Sequence, residues 1–286
     1  MVEYFRCDLR SPVILVLILA SGVGGCALPT DSNPEPFRTR DAPWTDSSEP
    51  RIPVSEGAGR DSSRALIYTG ASTWFAEVDS LERNLRDHGM AYEEQDASVL
   101  NFWDETELSR FNLLIIAGGY APSLTSELKP ELRSLFRAAV RAGQMGYLGF
   151  CAGAWLAVSP PEPTSEDRKY GIGFIDGPVQ QIGPPEREGL TFSVIEALLG
   201  DGRTRRLLWW GGPTTPSPTE GEGSVLARYP DGSPAISKMR AGLGWIVISG
   251  LHPTATPEIL ASIGSSDLEP VAPDFTWSLI QAALDR

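Results

Sequence analysis

The stretch YLGFCAGAW, residues 147–155, decides the fold of this chain and raises the question of what its cysteine does. Apolar residues lead into Cys151, and Gly149 and Gly153 lie two positions on either side of it. A strand that passes into a helix through Gly-x-Cys-x-Gly has the form of a nucleophile elbow, a tight and strained turn that projects a reactive side chain. The dipole and free amide groups of the next helix would favour a thiolate there. The alternative is a buried structural cysteine beside glycines that allow close packing.

The sequence around the elbow alternates between short apolar segments that end near glycine and amphipathic helical patterns. This alternation predicts right-handed βαβ crossovers and an α/β fold with an open, mostly parallel sheet and helices on both faces. The predicted strands are ALIYTG (65–70), MAYEEQDA (90–97), FNLLIIAGG (111–119) and MGYLGFC (145–151), and the predicted helices are 74–88, 125–143 and one that starts at 152.

The pattern loosens after Pro160. Residues 170–183 and 205–212 are interpreted as strands or bends, and residues 224–239 as a hairpin with Asp231-Gly232 in the turn. Further strand and helix patterns cover 244–250 and 275–286.

The N-terminus is predicted to be a targeting segment. An apolar run at 11–23 has the length of a secretory core, and VGGC at its end resembles the bacterial lipoprotein signal, in which the cysteine is lipid-modified. The proline-rich and polar residues that follow cannot bury enough apolar surface to fold. We therefore predict a signal peptide at 1–25, a lipidated Cys26 with a disordered tether at 26–62, and one domain at 63–286, held in the bacterial cell envelope and facing the periplasm or the exterior. The alternative is a buried first helix.

Charge and cysteine content narrow the function classes. The 286-residue chain has a net charge of −13, which repels phosphate backbones, so nucleic acid is not an expected partner. Of three cysteines, cleavage would remove Cys7 and lipidation would occupy Cys26, which leaves Cys151 as a free thiol. We expect no metal and no cofactor. The expected partners are a small-molecule substrate or ligand and, through the anchor, a membrane; the sequence does not determine an oligomeric state.

A cysteine nucleophile needs a base, usually histidine, and the chain has two histidines. His88 ends an amphipathic helix beside Gly89 and is interpreted as a solvated C-terminal residue. His252 directly follows an apolar strand, so a parallel arrangement would bring it to the same sheet edge as Cys151. It could instead be a polar residue on an ordinary loop.

Four segments, AGGYAPS (117–123), YLGFCAGAWLA (147–157), GFIDGPV (173–179) and SGLHPT (249–254), together resemble the class I glutamine-amidotransferase-like proteins. The similarity is greatest to the branch formed by the N-terminal domain of biotin–protein ligases, and it covers residues 64–255 and the terminal helix. It implies a flavodoxin-like sheet. No biotin-ligase catalytic domain follows in this sequence, so the resemblance does not imply biotin transfer.

The resemblance implies that Cys151 is the nucleophile, His252 its base, and Gly119 and Ala152 the donors of oxyanion-hole amides. The family places a carboxylate two positions after the histidine, where this chain has Thr254. Thr254 cannot stabilise an imidazolium as a carboxylate does. Glu258, at the start of the next predicted helix, is the other candidate for the third member.

The predicted pocket is completed by residues that the resemblance or their position brings to the sheet edge: Gly118, Tyr120, Gly149, Gly153, Trp209 and Trp210. The tryptophans could instead pack in the core, and Tyr120 could be a surface loop residue. Two functions stay open. One is a membrane-tethered cysteine hydrolase or amidase that acts on a small amide or related carbonyl compound, and the other is a non-catalytic binding lipoprotein that retains the fold.

Overall fold

A computed structural model describes residues 63–164, 171–265 and 273–285. The predicted signal peptide, the lipidated Cys26 and the tether lie outside these residues. Across the described parts of the chain, no helix combines the length and apolar character that crossing a bilayer requires.

Strands and helices alternate along the first half of the domain, as predicted. The strands are β1 (Arg64–Tyr68), β2 (Ala91–Gln95), β3 (Leu113–Ile116), β4 (Gly146–Phe150), β5 (Val158–Ser159), β6 (Ile175–Asp176), β7 (Ser193–Leu199), β8 (Thr204–Trp209), β9 (Gly223–Arg228), β10 (Pro234–Ala241) and β11 (Gly244–Ser249). The helices are α1 (Phe75–Asp87), α2 (Ala97–Leu100), α3 (Glu105–Leu108), α4 (Ala121–Ser126), α5 (Pro130–Arg141), α6 (Ala152–Ala157), α7 (Pro184–Arg187), α8 (Pro257–Ser262) and α9 (Pro273–Leu284).

The described residues form a nine-stranded sheet in the order β2-β1-β3-β4-β11-β10-β9-β7-β8. The first five strands of this order are parallel to one another, which confirms the α/β fold with a flavodoxin-like arrangement. Because β3, β4 and β11 are neighbours, the residues that follow them emerge together at one edge of the sheet.

An antiparallel extension, β10-β9-β7-β8, widens the sheet beyond β11. The predicted hairpin is present as β9 and β10, with Asp231-Gly232 between them and a positive φ at Gly232. The strand β7 was not predicted, because residues 193–199 carry no glycine boundary at their start and follow a long irregular segment.

Helices cover both faces of the parallel part. On one face α4, α5 and α6 bury Leu124, Phe136 and Leu156 against the sheet. On the other face α1 and α9 bury Leu81 and Leu279. These two apolar layers are the core that fixes the positions of the strand ends.

One predicted helix is wrong in its bounds. The pattern at 125–143 is interrupted, so that α4 ends at Ser126 and α5 begins at Pro130. Pro130 lacks a backbone N–H and its ring excludes a preceding helical turn, so it starts a helix instead of continuing one.

Candidate active site

The nucleophile elbow predicted at Cys151 is present. Cys151 joins β4 to α6 with φ 45° and ψ −98°, in a region that residues with a Cβ rarely occupy. Its backbone N–H donates to the carbonyl of Ser249 at 2.8 Å, and its carbonyl accepts from the N–H of Trp155 at 3.0 Å. The bonds on both sides hold the strained turn in place, which is the usual sign of a functional position. The Cys151 side chain is 7% exposed.

The two glycines of the motif are required by close approaches. A Cβ on Gly149 would lie 2.7 Å from the backbone carbon of Gly153, and a Cβ on Gly153 would collide with the carbonyl of Ile116. The elbow therefore packs α6 directly against β3 and β4, as the sequence predicted. These two glycines support the turn and do not line an open pocket.

His252 is brought to Cys151 by β11 and by β8. Its backbone N–H donates to the carbonyl of Leu208 at 2.8 Å, and its side chain is buried. The two reacting side chains meet at one backbone oxygen. The Cys151 sulfur lies 3.3 Å from the carbonyl oxygen of Trp210, and Nε2 of His252 lies 3.5 Å from the same oxygen. The structure thus brings together the two groups that the sequence proposed as nucleophile and base.

The carboxylate beside His252 belongs to Glu77, in the first turn of α1. Its Oε1 lies 3.0 Å from Nδ1 of His252 and accepts from the hydroxyl of Thr254 at 2.7 Å. Its Oε2 accepts from the backbone N–H of Gly118 at 2.5 Å. Glu77 is completely buried, so three donors replace the water that a carboxylate would otherwise need.

The sequence interpretation missed Glu77. It had a signal, since residues 77, 81 and 85 follow one another at helical spacing and Leu81 and Leu85 are core residues. A glutamate on the buried stripe of an amphipathic helix needs a partner inside the protein. The partner is 175 residues away in the sequence, so neither local pattern nor spacing indicates it.

Charges in this cluster shift one another's ionisation. Burial alone would raise the pKa of Glu77, but the charge of His252 and the hydrogen bonds that the carboxylate accepts lower it below its ordinary value. Burial alone would lower the pKa of His252, but the charge of Glu77 and the hydrogen bonds with Cys151 and Glu77 raise it to about 10. Near neutral pH the pair is therefore an imidazolium and a carboxylate, with Nδ1–H donating to Glu77.

The sequence offers Thr254 and Glu258 as the third residue beside Cys151 and His252. Neither of them places a carboxylate against the imidazole. Thr254 contributes a hydroxyl that donates to Glu77 and thereby holds it. Glu258 is exposed in the first turn of α8, where a hydrogen bond with Thr256 lowers its pKa. Because Glu77 already contacts Nδ1, the position two residues after the histidine does not need an acid.

The two proposed oxyanion donors lie at the ends of β3 and β4. Ala152 is the first residue of α6, so its N–H has no carbonyl to reach within that helix. Gly119 has a φ of +150°, and a Cβ there would collide with the carbonyl of Ser72. The preceding amide, that of Gly118, is already used by Glu77.

The aromatic residues of the predicted pocket lie in three different environments. Trp209 is fully buried in the core, where its Nε1–H donates to the carbonyl of Gly212 at 2.9 Å. Trp210 is half-buried on the opposite side, and its ring meets that of Trp74 edge to face at 5.2 Å. Trp74 in turn packs edge to face against His252 at 4.9 Å. Tyr120 is 55% exposed, as expected for a surface loop residue.

The remaining features fall outside this cluster. His88 ends α1 and stacks on Trp277 at 4.2 Å. Within the ranges that the structure describes, no three His, Cys, Asp or Glu side chains are arranged to hold a metal ion.

Comparisons with known proteins support the fold. No family model and no curated protein matches the chain. Among solved structures, it is similar to a glutamine amidotransferase, with 17% identity, a TM-score of 0.53 and coverage of 76% of this chain and 98% of that one. It also has distant similarity to a cytoplasmic protein from Salmonella typhimurium LT2, with 12% identity, TM-score 0.41 and coverage of 78% and 96%. A third solved structure with distant similarity is a beta-galactosidase from Bacillus circulans sp. alkalophilus, with 13% identity, a TM-score of 0.39 and coverage of 78% of this chain and 30% of that one.

At 17% identity, the similarity to the glutamine amidotransferase supports the fold alone, an amidotransferase-like α/β fold with a mostly parallel sheet.

Proposed function

We propose that the chain is a membrane-tethered cysteine hydrolase that cleaves a small amide or a related carbonyl compound. We further propose that it belongs with the biotin–protein ligase N-terminal-domain branch of the amidotransferase-like proteins and is anchored through a lipid on Cys26. The observation that carries the hydrolase proposal is the buried cluster in which Cys151 and His252 meet at the Trp210 carbonyl and His252 is bonded to Glu77. The similarity to a solved glutamine amidotransferase supports an amide as the substrate class.

The first half of the reaction forms a thioester. The sulfur of Cys151, as a thiolate, attacks the carbonyl carbon of the substrate, and the carbonyl electron pair moves onto oxygen. The N–H groups of Gly119 and Ala152 stabilise that oxyanion. When the tetrahedral intermediate collapses, the C–N bond breaks and Nε2 of His252 gives its proton to the leaving nitrogen, which departs as ammonia or an amine.

The second half returns the enzyme to its resting state. His252, now neutral, takes a proton from a water molecule, which attacks the thioester carbon. The C–S bond then breaks, the carboxylic acid leaves, and the thiolate–imidazolium pair is restored. Glu77 stays ionised throughout, because its task is to hold the ring and to stabilise its charge.

Release of ammonia tests this function on the full-length protein. A panel of small primary amides, with glutamine among them, is offered to the wild type and to Cys151→Ser, His252→Ala and Glu77→Gln. We expect turnover of at least one amide that all three variants reduce by tenfold or more, and Glu258→Gln, the matched exposed carboxylate, to keep wild-type turnover.

The second candidate, a binding lipoprotein, is favoured by one observation: the two reacting groups are almost fully buried beneath a backbone carbonyl. Iodoacetamide alkylation of Cys151 distinguishes the two functions. An alkylation rate at pH 7 equal to that of an ordinary cysteine peptide and unaffected by His252→Ala, together with no ammonia release, would leave only the binding function.

The anchor is tested separately by metabolic labelling with a fatty-acid analogue. Label on the wild type that is lost in Cys26→Ala supports lipidation. Equal label in both would end the proposal of a lipid at Cys26 and leave the hydrolase proposal untouched.

A further inference from the structure

The backbone carbonyl of Trp210 lies directly against both reacting side chains. Its oxygen lies 3.3 Å from the Cys151 sulfur and 3.5 Å from Nε2 of His252. In this arrangement an acyl carbon that approached the sulfur would meet the Trp210 carbonyl first. Cys151 and His252 are 7% and 1% exposed as whole residues, in agreement with a covered site.

The segment that carries this carbonyl is fixed at both ends. Before it, Trp209 pairs with Ser193 in the sheet. After it, Gly212 packs so closely on Gly250 that a Cβ would collide with the carbonyl of that residue. The carbonyl of Gly212 also accepts two hydrogen bonds at 2.9 Å, from the N–H of Gly183 and from the Trp209 indole. The Trp210–Gly211 peptide lies between these two fixed points.

That peptide has the properties of a hinge. Gly211 has a φ of +65°, and a Cβ there would meet nothing within 4 Å. Rotation of the peptide plane would carry φ of Gly211 to a negative value and turn the Trp210 carbonyl away from the sulfur, and glycine accepts both conformations. The indole N–H of Trp155, on the helix that follows the nucleophile, donates to the carbonyl of Gly211 at 3.2 Å and holds the covered arrangement.

We propose that the Trp210–Gly211 peptide is an autoinhibitory gate, which blocks Cys151 in the resting protein and rotates about Gly211 to admit an acyl compound. The proposal rests on the hydrolase function above, because it assigns regulation to the same site. When the gate opens rarely, the rate at which a small reagent modifies Cys151 is proportional to the fraction of molecules that are open.

Two substitutions shift this fraction without touching the reacting groups. Gly211→Ala penalises the resting φ, because a residue with a Cβ is disfavoured in the left-handed region, and leaves the rotated peptide unpenalised. We expect iodoacetamide to modify Cys151 about five- to thirty-fold faster in this variant. Trp155→Phe removes the hydrogen bond to Gly211 and should accelerate modification about two- to tenfold.

The control is Gly202→Ala. Gly202 has a φ of +83° with equally open space around it, and it lies in the turn between β7 and β8. The substitution Gly202→Ala imposes the same kind of backbone strain away from the site. It should leave the rate at which Cys151 is modified unchanged. The rate is measured on the full chain at pH 7 from the mass of the peptide that contains Cys151, together with the rate for His252→Ala.

Acceleration in Gly211→Ala and Trp155→Phe, with none in Gly202→Ala, supports the gate. Wild-type rates in both gate variants, combined with an altered rate in His252→Ala, would overturn the gate and leave the hydrolase proposal standing. Identical rates in all variants, including His252→Ala, together with no release of ammonia from the amide panel, would overturn both.

Discussion

Replacing Glu77 by glutamine tests the buried ion pair that distinguishes this site. The substitution keeps the size of the side chain and removes its charge. Three donors converge on the carboxylate: Nδ1–H of His252, the hydroxyl of Thr254 and the N–H of Gly118. A glutamine amide has one oxygen to offer them and brings two further donors of its own, so at least one pair of donors must face each other.

The cost follows from the loss of a buried ion pair. Removing one partner of such a pair typically destabilises a protein by about 3–5 kcal/mol. The raised pKa of His252, about 10, has the direction that this pair requires, although part of the shift comes from Cys151. The expected loss of unfolding free energy for Glu77→Gln is therefore about 3–5 kcal/mol at pH 6.5.

The same pair predicts how stability depends on pH. Because the folded pKa of His252 is raised, its stabilisation is fully present below pH 6.5 and is lost as the pH rises through about 10. The lowered pKa of Glu77 acts in the opposite sense, and its stabilisation is lost only as the pH falls below the ordinary value of 4.5. Between pH 6.5 and pH 9 the wild type should therefore lose about 3 kcal/mol from His252, and Glu77→Gln should lose much less.

Urea unfolding of the wild type, Glu77→Gln and the exposed control Glu258→Gln at pH 6.5 and pH 9 measures these differences. The reasoning is refuted if Glu77→Gln unfolds at the wild-type urea concentration, or if its stability falls between the two pH values as steeply as that of the wild type. Should Glu77→Gln not fold, Thr254→Val removes one donor to the carboxylate without removing the charge, and should cost about 1 kcal/mol while keeping the pH dependence.

Two further predictions concern the same cluster. Thr254→Glu would place a carboxylate where the amidotransferase-like proteins have one, two positions after the histidine. It would also place a second negative charge against Glu77, so we expect lower thermal stability and lower ammonia release than in Thr254→Gln. Higher turnover in Thr254→Glu would show that Glu77 is not the carboxylate that supports His252. Gly153→Ala should lower the melting temperature strongly, because its Cβ would collide with the Ile116 carbonyl, and overpacking of this kind costs about 1–3 kcal/mol. The control is Gly200→Ala, where φ is not positive and the nearest atom would lie 3.3 Å from the Cβ. Equal melting temperatures for the two variants would contradict the packing argument.

Short sequence patterns predicted the features of this fold that depend on a few neighbouring residues. The elbow at Cys151, the parallel strands around it and the β9–β10 hairpin each carry their signal within about ten residues, through apolar runs and turn glycines. The placement of His252 at the sheet edge followed from the topology, since a residue after a parallel strand must emerge where the other strands end.

The directions of the side chains at the site were harder to predict from the sequence. The sequence predicts that Trp209 and Trp210 both line the pocket, yet Trp209 ends β8 in the core and Trp210, the residue after the strand, lies beside Trp74. Successive side chains of an extended segment point to opposite faces, so the two rings do not line one pocket. The sequence does not show that the backbone carbonyl of Trp210, and not its ring, reaches the Cys151 sulfur.

The glycine pair at the end of β3 links the predicted part of the site to the part that was missed. A Cβ on Gly118 would lie 2.7 Å from Cε1 of His252 and 2.9 Å from Oε2 of Glu77, so this position must be glycine because the ion pair packs against it. Gly119 is required for a different reason, its φ of +150°. The sequence predicts that Gly118-Gly119 ends a strand. The structure shows that Gly118 also leaves room for the Glu77 carboxylate, which comes from α1. The carboxylate beside His252 thus comes from α1 and not from the position two residues after the histidine, since the imidazole requires an acceptor about 3 Å from Nδ1 and no particular position in the chain.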